Sequence, residues 1–315
     1  MPYLNPAAVQ AVPFADVADA VVAALADGLD PAADPARAVL PVAAGQLLLM
    51  PSQTAGHVGV KIVGVAPDNP ARGLPRIQGS YLLLDALTLR PVAIIDGAAL
   101  TTLRTPALSL AATRLLAPER TRRLVIFGAG PQAAGHLRAL HGVLTPDSVT
   151  VLSHSAERAA ALAGAARRDL GVAARAATAG GIAAEIAAAD VIVCATTAVR
   201  PLFAADDVRP GALVIAVGSH EPDVLELPPP LLAGAQVVVE DPATAAREAG
   251  EVVTAIREGL LDPSALVGLA DLVTGRAAAD PDRTRVFKSV GMGWEDLVVA
   301  TRVFAHYTRG VDGDG

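Results

Sequence analysis

The sequence predicts an α/β protein in which a doubly wound, mostly parallel sheet is joined to a second domain of α+β type. After residue 122, short apolar runs alternate with stretches of helical spacing, which is the pattern of an open parallel sheet covered by helices. Residues 38–96 instead contain apolar runs separated by Pro, Gly and Asn clusters, which is typical of strands paired without intervening helices. The chain has 315 residues, more than one small core usually fills, so we expect two domains.

The N-terminal region is predicted to start with a helix and to continue as a sheet. Residues 14–27 place apolar side chains at helical spacing, and Gly28 ends the pattern. A long helix is predicted from Leu100 to Pro118. The strands predicted between these helices are Leu47–Met50, Val58–Val65, Ser80–Leu84 and Val92–Asp96.

The segment 122–133 is the most informative part of the chain, because an apolar strand runs directly into a glycine turn and then into a helical pattern. Gly128 permits a tight turn, Gly130 lets the backbone approach a pyrophosphate, and Ala133 keeps a small residue where helix meets strand. The helix predicted over Pro131–Leu144 points its free N–H groups at that phosphate. We therefore expect a dinucleotide-binding Rossmann domain.

The elements that follow this turn continue the alternation of strand and helix. The predicted strands are Val149–Leu152, Val191–Ala195, Leu213–Val217 and Gln236–Glu240. The predicted helices are Glu157–Leu170, Gly181–Ala188, Ala243–Glu258, Ala265–Thr274 and a closing amphipathic helix, Trp294–Tyr307. This order is the one expected of a doubly wound parallel sheet.

Composition and charge restrict the class of protein. With 52% hydrophobic and 18% charged residues, the chain has enough apolar material for a large core, which excludes disorder. The net charge of −7 with no basic cluster argues against nucleic acid or an anionic membrane as a partner. The single cysteine, Cys194, excludes an intramolecular disulfide and is expected to be a buried thiol. No Cys/His spacing suggests a metal, and the absence of a signal peptide or spanning segment leads us to expect a cytoplasmic protein.

A series of short motifs runs in order along nearly the whole chain: Gly59–Val63, Leu103–Ala107, Phe127–Gln132, Ala189–Val193, Ala216–Ser219 with Glu226–Leu227, Glu248–Gly250 and Val286–Gly291. Together they resemble the ornithine cyclodeaminase and mu-crystallin family, and the combination is far more specific than any single motif. The resemblance implies a substrate-binding and dimerisation domain made of residues 1–117 and 292–315. A Rossmann dinucleotide-binding domain over 118–291 would be inserted between these parts, and a homodimer is expected.

The resemblance also implies a small amino or imino acid as substrate and places Arg37, Lys61 and Arg104 around its carboxylate. The chemistry agrees, because an anion in a dry cleft of an acidic protein needs fixed cations, and a guanidinium fork suits a carboxylate. Lys61 lies inside the apolar run Val58–Val65, where a lysine is seldom buried without a partner; the alternative is a solvent-facing lysine. The resemblance also implies that Ser289 and Val290 lie at the substrate.

His220 departs from the pattern of the family members that deaminate ornithine. Those members carry an acidic residue after a Gly-Gly pair in the turn following the fourth Rossmann strand, whereas this chain has Gly218-Ser219-His220. Members without the acid resemble reductases of cyclic imino acids, including the ketimine reductase activity of mu-crystallin. A histidine can carry the proton that the reduced nitrogen requires. The alternative is that His220 only fills the turn and that Lys61 or water supplies the proton. His220 and Lys61 are therefore both candidates for the catalytic proton donor.

The tip of the second Rossmann strand bears on the choice of cofactor. A carboxylate is usual there when NAD is preferred. Here the strand ends in Ser153, His154 and Ser155 with Arg158 close behind, so NADP(H) is favoured. NAD(H) is the alternative, since Arg158 can also be read as a surface residue next to the repelling Glu157. From the glycine turn, this tip and the resemblance, the residues expected at the cofactor are Arg104, Thr105, Gly128, Gly130, Pro131, Gln132, Ala133, Ser153, His154, Ser155, Arg158, Thr196, Thr197, Ala216, Val217, Gly218, Ser219 and Lys288.

The leading hypothesis is an NAD(P)H-dependent reductase of a small cyclic imino acid, of the Δ1-pyrroline-2-carboxylate or Δ1-piperideine-2-carboxylate type. Hydride would pass to the imine carbon while the cations hold the carboxylate, with no metal and no covalent intermediate. The alternatives are an ornithine cyclodeaminase or alanine-type amino-acid dehydrogenase, and a crystallin-like protein that binds nucleotide or another ligand. A cyclodeaminase would leave the cofactor unchanged, whereas a reductase or dehydrogenase would consume it.

Overall fold

The computed structural model describes residues 1–177 and 181–313, and side chains up to residue 310. The chain divides into two compact units, Met1–Leu108 with Met292–Gly315, and Ser109–Gly291. The first boundary falls earlier than the one expected after residue 117. Ser109 belongs with the second unit, where its hydroxyl lies 2.9 Å from Nε2 of the buried His136.

The first part of the chain forms a sheet and three helices. Its elements are β1 (Tyr3–Leu4), α1 (Pro6–Gln10), α2 (Phe14–Ala26), β2 (Ala38–Val42), β3 (Gly45–Gln53), β4 (His57–Val65), β5 (Ile77–Asp85), β6 (Pro91–Asp96) and α3 (Gly97–Leu116). The strand order is β1-β6-β5-β4-β3-β2, antiparallel except for the pair β1 and β6. The four predicted strands correspond to β3 to β6, and the predicted long helix corresponds to α3.

The remaining elements alternate between strand and helix over most of this region. They are β7 (Arg123–Phe127), α4 (Pro131–Leu144), β8 (Ser148–Leu152), α5 (Ala156–Asp169), β9 (Ala173–Ala177), α6 (Ile182–Ala187), β10 (Val191–Cys194), β11 (Leu213–Ala216), α7 (Pro229–Gly234), β12 (Gln236–Val239), α8 (Pro242–Glu248), α9 (Gly250–Arg257), β13 (Val267–Gly268), α10 (Leu269–Val273), β14 (Arg285–Lys288) and α11 (Gly293–Gly313). The sheet order is β13-β12-β14-β11-β10-β7-β8-β9, and every pair is parallel. The predicted α/β class with a doubly wound parallel sheet is confirmed.

Several elements differ from the predictions. The predicted helix Ala243–Glu258 breaks at Ala249, whose backbone is extended. A Cβ on Gly250 would lie 2.1 Å from the carbonyl oxygen of Val224, so glycine lets the second helix start against that backbone. The predicted helix Ala265–Thr274 is instead a short strand followed by α10. Strand β9 was not predicted, because its alanine-rich sequence has no β-branched side chain to indicate a strand.

Each unit has its own apolar core. In the first unit, Leu297, Val299, Ala300 and Val303 of α11 are buried with strand residues of β5 and β6. This packing brings the N-terminal turn of α11 to the sheet. In the second unit the inner strands are buried on both faces, and the core contains Cys194, a fully buried free thiol as predicted. Within the described residues, no helix combines the length and apolar character needed to cross a membrane.

Candidate active site

The glycine turn after β7 has the backbone geometry that its sequence requires. Gly128 has a φ of +108°, in the left-handed region that favours glycine. A Cβ at this position would lie 2.3 Å from the carbonyl oxygen of Ala195, which follows β10. The N–H of Gly128 donates to the carbonyl of Leu152 at 2.8 Å, so the turn is tied to the end of β8. Any larger residue at position 128 would disrupt this turn.

The N-terminus of α4 fits a dinucleotide pyrophosphate. Gly130 is its N-cap with extended backbone and without a side-chain cap, and Pro131 occupies the first turn. A Cβ on Gly130 would meet no heavy atom within 4 Å, so there is open space beside this cap. Gln132 follows at the start of the helix, and Ala133 is fully buried beneath the turn. The open cap and the helix dipole together can hold an anion.

The tip of β8 carries hydroxyl and basic groups. The hydroxyl of Ser155 caps α5 by accepting the N–H of Arg158 at 3.3 Å, and the N–H of Ser155 donates to the hydroxyl of Ser153 at 3.2 Å. The side chains of His154 and Arg158 are exposed. The tip at 153–155 therefore has no carboxylate that would repel a ribose phosphate.

Glu226 joins the loops that follow β10 and β11. Its carboxylate is fully buried and accepts the N–H of Thr196 at 2.8 Å, the hydroxyl of Thr196 at 2.6 Å and the N–H of Gly218 at 2.6 Å. A Cβ on Gly218 would lie 2.6 Å from this carboxylate, so only glycine allows the approach. Two loops predicted to bind the cofactor are thus held by one side chain that the sequence analysis did not assign to the site.

Lys288 supports the same region from within the protein. It is 1% exposed, and its Nζ donates to the carbonyl oxygen of Ser219 at 2.7 Å and to its hydroxyl at 2.6 Å. The Ser219 hydroxyl donates in turn to Glu251, whose carboxylate also accepts the N–H of Glu226 at 2.8 Å. Lys288 is predicted to lie at the cofactor, and its ammonium is bonded to the loop that carries Ser219.

Glu240, which directly follows β12, organises the predicted substrate segment after β14. Its buried carboxylate accepts the hydroxyl of Ser289 at 2.6 Å and the N–H groups of Val290 and Gly291, each at 2.8 Å. Three donors on one carboxylate fix the course of the chain here. Glu240 was not identified from the sequence as part of this arrangement.

The other predicted residues of this region lie at the strand ends. Ala216 ends β11, and Val217 follows it half-buried. Thr197 is exposed after β10, and His220 is exposed in the turn after β11. An exposed imidazole can exchange protons with solvent, as a proton-transferring group must.

In the first unit, Lys61 is a buried cation paired with an acid. It lies in β4 between Met50 of β3 and Tyr81 of β5, and is 3% exposed. Its Nζ is 2.7 Å from Oδ2 of Asp296 in α11. Burial lowers the pKa of Lys61, while the neighbouring Asp296 opposes that shift. The alternative of a solvent-facing lysine is therefore wrong.

Arg104 of α3 joins the same cluster. It is 7% exposed, its Nη1 lies 2.8 Å from Oε2 of Glu295, and its Nε lies 3.4 Å from Oδ1 of Asp296. Arg104 is thus not a surface arginine. Thr105, the next residue of α3, is also buried. Lys61 and Arg104, predicted to act together, converge on adjacent acids at the start of α11.

Asp34 and Tyr81 complete the surroundings of this cluster. Asp34 accepts the hydroxyl of Ser52 at 2.6 Å and the N–H of Trp294, and burial raises its pKa. Among the described residues the Tyr81 hydroxyl has no hydrogen-bond partner, and burial together with Asp296 and Asp34 raises the pKa of this buried group. Arg37, the third predicted cation, is half-buried immediately before β2.

The acids of this cluster were not expected from the sequence. Glu295 and Asp296 stand at the start of a helix, where acids commonly complement the helix dipole, so their pattern gives no sign of a site. The unpaired Tyr81 hydroxyl is the kind of buried polar atom that a ligand would satisfy. Among the described residues, no group of three or more His, Cys, Asp or Glu side chains is arranged to hold a metal ion.

Comparisons with known proteins agree with the motifs over most of the chain. The model of the ornithine cyclodeaminase/mu-crystallin family matches residues 8–310. A Δ1-pyrroline-2-carboxylate reductase of Bacillus cereus is 34% identical over 278 residues, covering 86% of this chain and 85% of the relative. The ketimine reductase mu-crystallin of Mus musculus is 32% identical over 280 residues, covering 88% and 86%.

A solved structure is similar over the same length. It is Thermococcus litoralis Δ1-pyrroline-2-carboxylate reductase in complex with NADH and L-proline, with a TM-score of 0.91 and 26% sequence identity. The match covers 98% of both chains. The similarity therefore includes both compact units.

Proposed function

The chain belongs to the ornithine cyclodeaminase/mu-crystallin family, and we propose that it reduces a small cyclic imino acid to the cyclic amino acid with a nicotinamide cofactor. The substrate would be of the Δ1-pyrroline-2-carboxylate or Δ1-piperideine-2-carboxylate type, as the names of its relatives suggest. The observation that carries the proposal is the pair of buried cations, Lys61 and Arg104, in a chain whose glycine turn fits a dinucleotide.

Lys61 and Arg104 are the proposed ligands of the substrate carboxylate, with Arg37 as the third. Both buried cations are fixed by acids of α11, so they are oriented before a ligand arrives. The Tyr81 hydroxyl, for which the described part of the chain supplies no hydrogen-bond partner, offers a further hydrogen bond beside Lys61. Ser289 and Val290, held by Glu240, are proposed as further substrate-binding residues, as the family resemblance implies.

The cofactor is proposed to bind at the glycine turn and at the loops held by Glu226 and Lys288. A bound reduced nicotinamide would supply the hydride. Gly128, Gly130 and the cap of α4 would hold its pyrophosphate. We favour NADP(H) over NAD(H), because the tip of β8 presents Ser153, His154, Ser155 and Arg158 without a carboxylate.

The reduction also requires a proton at the substrate nitrogen. We assign this proton to Lys61, because burial lowers the pKa of its ammonium and makes it a better acid at neutral pH. His220 is the second candidate, supported by its exposed position after β11. The pH dependence of turnover in variants of each residue separates the two assignments.

We further propose that the unit formed by the N-terminal part and α11 is the substrate-binding and dimerisation domain, and that the protein is a homodimer. Strand β2 is an edge strand, and Val39, Leu40 and Val42 on it are 48%, 44% and 51% exposed. An edge strand with exposed apolar side chains tends to associate with another chain. Sedimentation equilibrium tests this: a monomer at micromolar concentration would contradict it.

Deamination with ring closure is not favoured, because His220 stands where an acidic residue serves that reaction in the family. A purely ligand-binding role is also not favoured, because it gives no reason for buried cations to converge. The experiment that tests the proposal offers NADPH and NADH with each cyclic imino acid and measures cofactor oxidation by the loss of the absorbance band of the reduced nicotinamide. We expect oxidation with a cyclic imino acid and no ammonia from L-ornithine; ammonia release with the cofactor unchanged would contradict the proposal.

A further inference from the structure

The carboxylates around the two buried cations balance their charge. Lys61 lies 2.7 Å from Asp296, and Arg104 lies 2.8 Å from Glu295. The four groups therefore carry no net charge, and a proton passing from Lys61 to Asp296 leaves that sum unchanged. Asp34, which accepts the N–H of Trp294 at the start of α11, can only add a further negative charge to this group.

This balance determines which ligands the cluster can accept. A ligand whose only charge is a carboxylate would add an uncompensated negative charge to a buried site, which is costly. A ligand that carries a carboxylate and a protonated nitrogen adds none. We propose that Glu295 and Asp296 make the substrate site selective for zwitterions, so that the cyclic imine binds in its protonated form and a plain carboxylate of the same shape is rejected. This inference rests on the proposed function, since it takes Lys61 and Arg104 as the substrate's ligands.

The selectivity favours the reactive form of the substrate. The protonated imine is the better electrophile: hydride forms a new C–H bond at the imine carbon, and the π pair of the C=N bond moves to the nitrogen. The cofactor is oxidised by two electrons, and the substrate becomes a neutral amine with its carboxylate. A proton from Lys61 then restores the zwitterionic amino acid, and solvent later returns a proton to Lys61. Glu295 and Asp296 thus determine which ligand binds, whereas Lys61 donates a proton to the substrate nitrogen.

Glu295→Gln is the most decisive variant. An arginine does not lose its proton in proteins, so removing the charge of Glu295 raises the charge of the cluster by one as long as Lys61 keeps its proton. Glutamine keeps an oxygen for the N–H of Met292, which the Glu295 carboxylate accepts at 3.0 Å. Asp296→Asn serves as the second variant. Asp16→Asn is the matched control, because Asp16 pairs with Arg302 of the same helix, and its side chain is 38% exposed.

The probes are L-proline and (S)-tetrahydrofuran-2-carboxylate, which share ring size and carboxylate position. Proline is a zwitterion, and its oxygen analogue is an anion. The dissociation constant of each probe is measured by calorimetry with oxidised cofactor present. We expect the wild type to bind proline more tightly, and Glu295→Gln to reduce this preference roughly tenfold, which is about 1.4 kcal/mol. Asp16→Asn should leave the preference unchanged.

The wild type alone already tests the inference, because equal affinity for the two probes would overturn it. A folded Glu295→Gln protein with the wild-type preference would overturn it as well, and Asp296→Asn replaces that variant if it does not fold. Turnover of Δ1-pyrroline-2-carboxylate by the same preparation tests the proposed function separately. Turnover without a preference for proline contradicts this inference alone, whereas the absence of turnover contradicts the proposed function.

Discussion

The Nζ of Lys61 in β4 lies 2.7 Å from the carboxylate of Asp296 in α11, and both side chains are buried. Residues 235 positions apart in the chain thus form one ion pair beneath the sheet. Breaking a buried pair at one partner leaves an uncompensated charge, which costs more than removing both partners. Because of this pairing, the catalytic role of Lys61 and its contribution to stability can be measured separately.

Lys61→Met is expected to reduce kcat/KM for the cyclic imino acid roughly 10- to 100-fold or more, because a charged hydrogen bond to the substrate is lost. It should also lower the free energy of unfolding by up to about 3–5 kcal/mol, because Asp296 loses its nearest cation and is left with Arg104, whose Nε lies 3.4 Å away. Lys61→Met with Asp296→Asn should recover most of this stability and none of the activity. Denaturation and steady-state kinetics measure the two effects; wild-type kinetics in the single variant would show that Lys61 does not hold the substrate.

Glu226→Gln is expected to weaken cofactor binding about tenfold with little change in the KM of the imino acid. The amide nitrogen of glutamine cannot accept a hydrogen bond, so it would face one of the N–H groups of Thr196 and Gly218 unpaired. Fluorescence titration with NADPH and NADH measures the loss. Glu258→Gln, at the exposed end of α9, is the control. Unchanged cofactor affinity would show that the Glu226 bonds do not position these loops.

Ser153→Asp is expected to shift preference from NADPH toward NADH, since a carboxylate at the tip of β8 would accept ribose hydroxyls and repel a 2′-phosphate. The measurement is the ratio of kcat/KM for the two cofactors in parent and variant. A parent that prefers NADH would contradict our choice of cofactor. If the parent prefers NADPH and the ratio does not move, the phosphate is held elsewhere, and Arg158→Ala is the next variant.

His136 gives the fold a dependence on pH. Its Nδ1 donates to the carbonyl of Gln132 at 2.8 Å, so in the neutral ring Nε2 accepts the hydroxyl of Ser109. Burial lowers the pKa of His136 to about 4. The unfolded chain therefore takes up a proton below pH ~6.5 that the folded protein does not, and stability is lost as pH falls from ~6.5 toward the folded pKa.

The expected size of this loss is about 1.4 kcal/mol per pH unit within that window. His136→Gln should lower stability at neutral pH and show a flatter decline below pH ~6.5. His141→Gln, a partly exposed position on the same helix, should keep the wild-type slope. Urea denaturation across this range measures the slopes, and equal slopes in wild type and His136→Gln would refute the assignment.

Much of the fold follows from local patterns in the sequence. The helix over Pro131–Leu144 was predicted to the residue, because glycine, proline and helical spacing mark its start. Strands β1, β2, β9, β13 and β14 were not predicted. For β2 and β9 the reason is that an exposed edge strand and an alanine-rich strand carry little apolar alternation. The break at Ala249 depends on a close approach of Gly250 to Val224, which only the folded chain reveals.

The site was predictable only where a residue stands out in its local sequence. Lys61 is unusual inside an apolar strand, so its burial could be foreseen. Its partner Asp296 could not, since acids at the start of a helix are common on protein surfaces. Glu226 belongs to a motif noticed in the sequence, yet its three hydrogen bonds depend on loops that only the folded chain brings to it. Long-range polar pairs of this kind leave no periodic signal.

The most direct test of the central claim is to follow the hydrogen that the cofactor gives up. Nicotinamide cofactor carrying deuterium at C4 on the transferred face is incubated with the protein and Δ1-pyrroline-2-carboxylate, and the product is examined by NMR and mass spectrometry. We expect proline with one deuterium at Cα and an equal amount of oxidised cofactor. Proline without deuterium, or cofactor that remains reduced while ornithine releases ammonia, would contradict the reductase function.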